Sequence, residues 1–133
     1  MDANMPALQR YAVQMMKGPG VILSKEQAAP LLAQFLETAR WRGWSLLAAA
    51  ILPTHVHLIL GVKGDPEPTT LLRDFKSYGS RCLNHVCGKP CGGSWWSRSG
   101  SARVVKTEDH LHAAMRYVLE RQKNALLIWR GSL

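Results

Sequence analysis

One apolar stretch constrains this chain more than any other. From Leu46 to Ile51 the sequence reads Leu-Leu-Ala-Ala-Ala-Ile, and after Leu52-Pro53-Thr54 it resumes as His55-Val56-His57-Leu58-Ile59-Leu60. Residue by residue the alanine run favours helix. It is nevertheless hemmed in by Gly43 and Pro53, a span short for a core helix. The spacing therefore predicts a buried strand over Trp44–Leu52 that turns at Pro53-Thr54 into a second strand over His55–Val62, with tertiary context overriding alanine propensity. In a strand, residues i and i+2 share a face. His55 and His57 then point the same way, with Val56 opposed. Two imidazoles side by side on a rigid strand are half of a divalent-metal site. The plainer alternative is a pair of histidines with no role beyond the hairpin.

The flanking sequence supplies partners for this hairpin. Met1 to Arg10 has little pattern and reads as a loose end. Tyr11–Met16 is a candidate first strand, but short and oddly composed, which leaves the sheet edge open; residues 1–17 could be a loose N-terminal segment. Gly18-Pro19-Gly20 punctuates it. Ser24 reads as an N-cap with Gln27 three residues on, a capping-box pattern. The helix that follows runs from Lys25 to about Arg42, with Ala28, Leu31, Leu32, Phe35, Leu36 and Ala39 on one face. Pro30 inside it predicts a kink or a late start. Gly64–Pro68 is a loop. Thr69 or Thr70 is expected to cap a second helix, about Leu71 to Val86, whose inner face is marked by Leu72, Phe75, Tyr78 or Gly79, Cys82 and Leu83.

Gly88 to Arg103 reads as a long loop rich in Gly, Ser, Trp and Arg, of the kind that usually has a function. Two adjacent tryptophans cannot both face a core from one strand, so Trp95 or Trp96 is expected to be free for stacking. Arg103–Lys106 is a plausible last strand. Thr107 with Glu108 and Asp109 forms a helix start. The third helix runs to about Gln122 with Leu111, Ala114, Met115, Val118 and Leu119 as its apolar stripe, and Ala125–Trp129 is an apolar tail. The order of elements implies an α+β fold, helices packed mainly on one face of an antiparallel sheet with the histidine strand central.

At 133 residues, 47% of them hydrophobic, the chain is one domain, spanning 1–133, with enough apolar material for a core. Lys and Arg number 17 against 9 Asp and Glu, a formal charge of +8. A small, strongly basic domain suits a polyanionic partner, nucleic acid before membrane. No run approaches the roughly 20 apolar residues of a membrane helix, and no signal peptide is evident. The expected location is the cytoplasm. The three cysteines, Cys82, Cys87 and Cys91, are odd in number and form no C-x-x-C pair. A zinc cluster of His85, Cys87 and Cys91 would match no standard finger spacing.

A catalytic metal usually needs a third protein ligand and an open position. The third helix offers Tyr117, with Glu120 and Gln122 beyond it. Tyrosine is a poor nucleophile at its ordinary pKa of about 10. A metal that neutralises developing charge on a phosphate would make its attack feasible. Arg73, Lys76, Arg81, Arg98, Arg103 and Arg116 are candidate phosphate contacts. Trp95 and Trp96 are candidate stacking platforms for unpaired bases.

Four segments in order, Leu52-Pro53-Thr54-His55-Val56-His57-Leu58, Phe75-Lys76-Ser77, Trp95-Trp96-Ser97-Arg98 and Tyr117-Val118-Leu119-Glu120-Arg121-Gln122, resemble the HUH single-tyrosine transposases of bacterial insertion sequences and the REP-associated tyrosine transposases. The resemblance covers most of the chain from about Gly18. It implies a ferredoxin-like core, Mg²⁺ or Mn²⁺ on His55 and His57, and a DNA strand transferase that cuts and rejoins single-stranded or hairpin DNA. Tyr117 would attack the scissile phosphate, form a 5′-phosphotyrosine and free a 3′-OH. A homodimer is the commoner assembly implied, with monomers among REP-associated relatives. The family often has a Gln or Asn metal ligand four residues after the tyrosine. That position is Arg121 here, so Glu120, on nearly the same helix face, or Gln122, with the expected chemistry, would have to serve.

Two other functions use the same residues. A catalytically inactive DNA-binding domain would bind without cutting. A phosphoesterase using metal-activated water would cut without a covalent adduct. A two-histidine phosphodiesterase lacks its second His-x-Thr/Ser motif, and a zinc deaminase lacks both His-x-Glu and the second cysteine after Pro90-Cys91.

Overall fold

The computed structural model describes residues 8–90 and 93–131. Its elements are β1 (Gln9–Lys17), α1 (Lys25–Arg42), β2 (Ser45–Ile51), β3 (His55–Val62), α2 (Pro68–Cys87), β4 (Trp96–Val105), α3 (Glu108–Glu120) and β5 (Leu127–Arg130). The strands form one sheet in the order β4-β1-β3-β2-β5, antiparallel throughout. The first four strands with α1 and α2 make the ferredoxin-like β-α-β-β-α-β unit, and α3 and β5 extend it.

The alanine-rich run is a strand, as its confinement predicts, and it is buried from Leu46 to Ile51. A register shift between Leu46 and Ala48 turns Leu47 and Ala48 toward the same side. Both strands of the hairpin are then covered on two faces. Tyr11, Val13, Met15, Val56, Leu58 and Leu60 meet Leu31, Phe35, Leu71 and Phe75 of α1 and α2. On the other face Ala48, Ala50 and Ile59 meet Leu111, Met115 and Val118 of α3. Two of the three helices thus share one face, and α3 alone takes the face that carries the histidines.

Helix α1 begins at the expected cap, where the Ser24 N–H donates to Gln27 Oε1 at 2.8 Å. That cap fixes the start ahead of Pro30, so the late start expected from the proline does not occur. Gly43 ends the helix in a left-handed conformation, φ 76°. Helix α2 starts earlier than expected. Glu67 rather than Thr69 or Thr70 is the cap residue, and Pro68 takes the first turn, where its missing N–H costs nothing. The first strand is no loose segment, since β1 begins at Gln9 and lies between β3 and β4. Of the expected loose end, residues 1–7 lie outside the described region.

The largest correction concerns Gly88–Arg103. Strand β4 begins at Trp96, seven residues before the expected strand, and pairs along β1. Trp95 and Trp96 are both buried. The Trp95 indole N–H donates to Asn84 Oδ1 at 2.8 Å, and that of Trp96 to the Lys76 carbonyl at 3.1 Å. Trp95 precedes the strand in a bend, so strand alternation does not govern it. The apolar tail, in turn, includes β5, which pairs with β2 at the sheet edge. No helix among the described residues is long and apolar enough to cross a membrane.

Candidate active site

The site lies where α3 crosses the second face of the sheet. Strand alternation puts His55, His57 and Ile59 on that face, and the imidazole centroids of His55 and His57 are 4.7 Å apart, edge to face. His57 is buried, and its Nε2 has no hydrogen-bond partner among the described residues. Burial, reinforced by His55, pushes its pKa from 6.5 down to about 4. His55 is half-exposed and also shifted down, by burial. Its Nδ1 shares a hydrogen bond of 2.9 Å with the Thr54 hydroxyl, which leaves Nε2 free. Both rings are neutral at pH 7, and a neutral imidazole is the form that ligates a metal. An orphaned, buried ring nitrogen beside a second available one fits a divalent cation and has no evident purpose in a plain hairpin.

Tyr117 reaches the pair from α3. Its ring centroid is 5.4 Å from that of His57, again edge to face, while half of the tyrosine stays exposed. Thr107 sets the start of this helix, since its Oγ1 accepts from the His110 N–H at 3.0 Å. Leu111, Met115 and Val118 bury one face, and Tyr117 is carried to the border between that face and solvent. Beside it lies a cavity of about 510 Å³. Its floor includes Ala12, Gln14, His57, Ile59, Ser101 and Arg103, and its wall includes His110, Ala113, Ala114 and Tyr117. Small side chains on both sides keep it open.

The expected third ligands fare differently. Among the described residues no third His, Cys, Asp or Glu clusters with His55 and His57, so Glu120, exposed at the end of α3, does not complete the set. Gln122 lies beyond the helix and folds back, its Nε2 donating to the Tyr117 carbonyl at 2.9 Å. Of the zinc cluster weighed for His85, Cys87 and Cys91, Cys91 lies outside the described residues.

The basic candidates divide by location. Arg103 lines the cavity, and Arg116 is exposed next to Tyr117. Arg98 is exposed on β4, while Arg73 and Arg81 are exposed on α2, across the sheet from Tyr117. The Arg81 guanidinium stacks 5.3 Å from the Tyr78 ring centroid. Lys76 is structural. Its ammonium donates to the Ser97 and Ser99 carbonyls at 3.0 and 3.2 Å, tying β4 to α2. Trp95 and Trp96, buried with both N–H groups satisfied, belong to the core and offer no stacking face. The exposed tryptophan is Trp41, under the Arg42 guanidinium at 4.8 Å and against Tyr78. Sequence reading missed Gln14, Ser101 and His110 as cavity residues. Gln14 and Ser101 are placed only by strand register.

The sequence profile described as "Transposase IS200 like" matches residues 9–122, a span that takes in the histidine strand, the tyrosine and Gln122. The chain belongs to the IS200-like transposase family. Solved structures with the same fold include a REP-associated tyrosine transposase bound to a REP hairpin, with TM-score 0.64 and 18% identity over 85% of this chain. This chain covers 65% of that protein's length. They also include a protein of Deinococcus radiodurans R1 described as a candidate transposase, with TM-score 0.65, 20% identity, and coverage of 87% of this chain and 91% of that one. No curated protein matches in sequence.

Proposed function

We propose that this IS200-like transposase is a metal-dependent transesterase that cuts and rejoins single-stranded DNA through a tyrosine. The observation that carries the reading is the Tyr117 ring against the buried, partnerless imidazole of His57. His55 and His57 would hold Mg²⁺ or Mn²⁺. Such an ion, when bound, supplies positive charge that offsets the charge developing on the phosphate.

The remaining chemistry falls to the chain. Arg103 binds backbone phosphate of the strand in the cavity. Tyr117 Oη gives up its proton and attacks the scissile phosphorus. The bond from phosphorus to the 3′ oxygen breaks, that oxygen takes a proton, and a 5′-phosphotyrosine with a free 3′-OH results. Bond count and charge are conserved, so attack by a 3′-OH reverses the step without an energy source. Half-exposure of Tyr117 suits this role, because the phenol must be reached by DNA while its ring edge stays on His57. Tyrosine and histidines meet within one chain, so the reading requires no second copy to complete the site. Hairpin-bearing single strands are the substrate class to try first, given the hairpin bound by the REP-associated relative.

The test is a denaturing gel of labelled single-stranded DNA, carrying hairpins and the flanks of the encoding element, incubated with protein and Mn²⁺. A covalent protein–DNA band is expected, absent with Tyr117→Phe, with His55→Ala/His57→Ala and with chelator. Cleavage without a covalent band would instead favour metal-activated water. Salt-sensitive binding of those flanks without cleavage would leave a DNA-binding domain.

A further inference from the structure

The missing third ligand has a candidate on a different element from the one that carries the tyrosine. In the β1–β3 ladder Gln14 is the register partner of His57, and Met16 is that of His55. Directly opposed residues of an antiparallel pair share a face, with Cβ atoms about 4.5–5.5 Å apart. Gln14, His57 and Tyr117 all line the cavity. The Gln14 side chain also leans toward the His55 end, since its Nε2 reaches Met16 Sδ at 3.5 Å. That contact is weak, and it is the one side-chain hydrogen bond that the carboxamide makes among the described residues. Its Oε1 makes no hydrogen bond among the described residues, and the side chain lines the same cavity as His57, whose buried Nε2 has no partner either. Gly100 lets β4 pass close over this position, for a Cβ there would sit 2.7 Å from the Gln14 carbonyl oxygen. The Gln14 backbone is thereby pinned between two strands.

The geometry points to Gln14 as the oxygen ligand that joins His55 and His57 in one divalent-metal site, in place of a residue on the tyrosine helix. The assignment rests on the metal-dependent reading above. An amide oxygen is a hard, neutral donor that suits Mg²⁺ and Mn²⁺. Two neutral imidazoles and a carboxamide leave the ion's charge uncompensated by the protein, so the phosphate meets a full dication. The three ligands also sit on two paired strands of a packed sheet, so the site keeps its shape whether or not α3 is docked. Gln122, by contrast, lies beyond the end of α3, folded onto the Tyr117 carbonyl, and does not line the cavity.

The experiment is a Mn²⁺ titration of metal-stripped protein without DNA, free Mn²⁺ being read by its electron paramagnetic resonance signal. Gln14→Ala should weaken binding at least about tenfold, and Gln14→Glu should tighten it by a similar factor through the added charge. Gln122→Ala and Glu120→Ala should leave the affinity at the wild-type value, because neither residue lines the cavity or hydrogen-bonds to His55 or His57. Circular dichroism melts confirm that each variant is folded, and Gln14→Glu keeps the size of the native side chain. Unchanged affinity in both Gln14 variants, with affinity lost in His55→Ala/His57→Ala, would overturn the assignment of Gln14 alone. Wild-type protein that binds no Mn²⁺ would overturn it together with the metal-dependent reading.

Discussion

Trp96→Ala separates the core role of this tryptophan from the DNA-stacking role that its sequence context suggests. The ring is buried between β4 and α2, and it faces Gly79, where a Cβ would lie 3.5 Å from Trp96 Cζ2. A buried tryptophan hides about 150–250 Å². At about 25 cal/mol per Å² that is roughly 4–6 kcal/mol, of which the alanine methyl keeps only a small part. Core Trp→Ala truncations cost about 3–5 kcal/mol, in line with this figure. The indole bond to the Lys76 carbonyl adds about 1 kcal/mol at most, because that carbonyl already belongs to a helix. About 4 kcal/mol corresponds to a fall in Tm of roughly 10–18 °C for a chain of this length. Thermal melts followed by circular dichroism, with Trp96→Phe as the intermediate case, measure it. A Trp96→Ala protein that melts within about 3 °C of the wild type, and binds single-stranded DNA much more weakly, would refute the core assignment.

Two further outcomes are expected. In metal-free protein, stability should fall as pH drops from 6.5 toward 4. His57 has a folded pKa of about 4 against 6.5 unfolded, so the unfolded chain takes up the proton first; the contribution is complete above 6.5, amounts to at most about 3 kcal/mol, and is lost on acidification. Urea denaturation across that range in chelator checks it, and an unaltered slope in His57→Leu would sink the attribution. Arg103→Ala should weaken single-stranded DNA binding and lower the salt dependence of log K by about one counterion, whereas Lys76→Ala should cost stability and leave the salt slope alone; fluorescence anisotropy over a salt series reads the slope, and equal slopes for Arg103→Ala and wild type would remove Arg103 from the DNA path.

The elements that were legible in the sequence are those whose signal is local. The faces of α1 and α3 follow from apolar spacing, Ser24 and Gln27 mark a helix start, and Gly43 and Pro53 confine an alanine run too short to be a helix. What failed was judged by a local rule outside its range. Alternation keeps neighbours on one strand from sharing a face, but Trp95 lies in the bend before β4 and Trp96 in the strand itself. Pro30 looked disruptive, but the Ser24–Gln27 cap had already set the helix going. The stripe on α3 showed that one side of it is buried and could not show which face of the sheet it would meet.

The site divides along the same line, and its division carries a physical reason. His55 and His57 lie two apart on one strand, so their common face is fixed by the backbone and can be read from sequence. Tyr117 comes from a different element more than fifty residues on, and placing it beside them takes the family pattern or the fold. Gln14 is harder still. Nothing in Val13-Gln14-Met15 marks it, because what makes it a neighbour of His57 is the register of β1 on β3. That register is set by Tyr11, Val13 and Met15 on the opposite face, which must all enter the core under α1 and α2; a slip of one residue would bury Gln14 in that core and expose the apolar set. The side chain at the candidate metal site is therefore positioned by hydrophobic residues that never touch it.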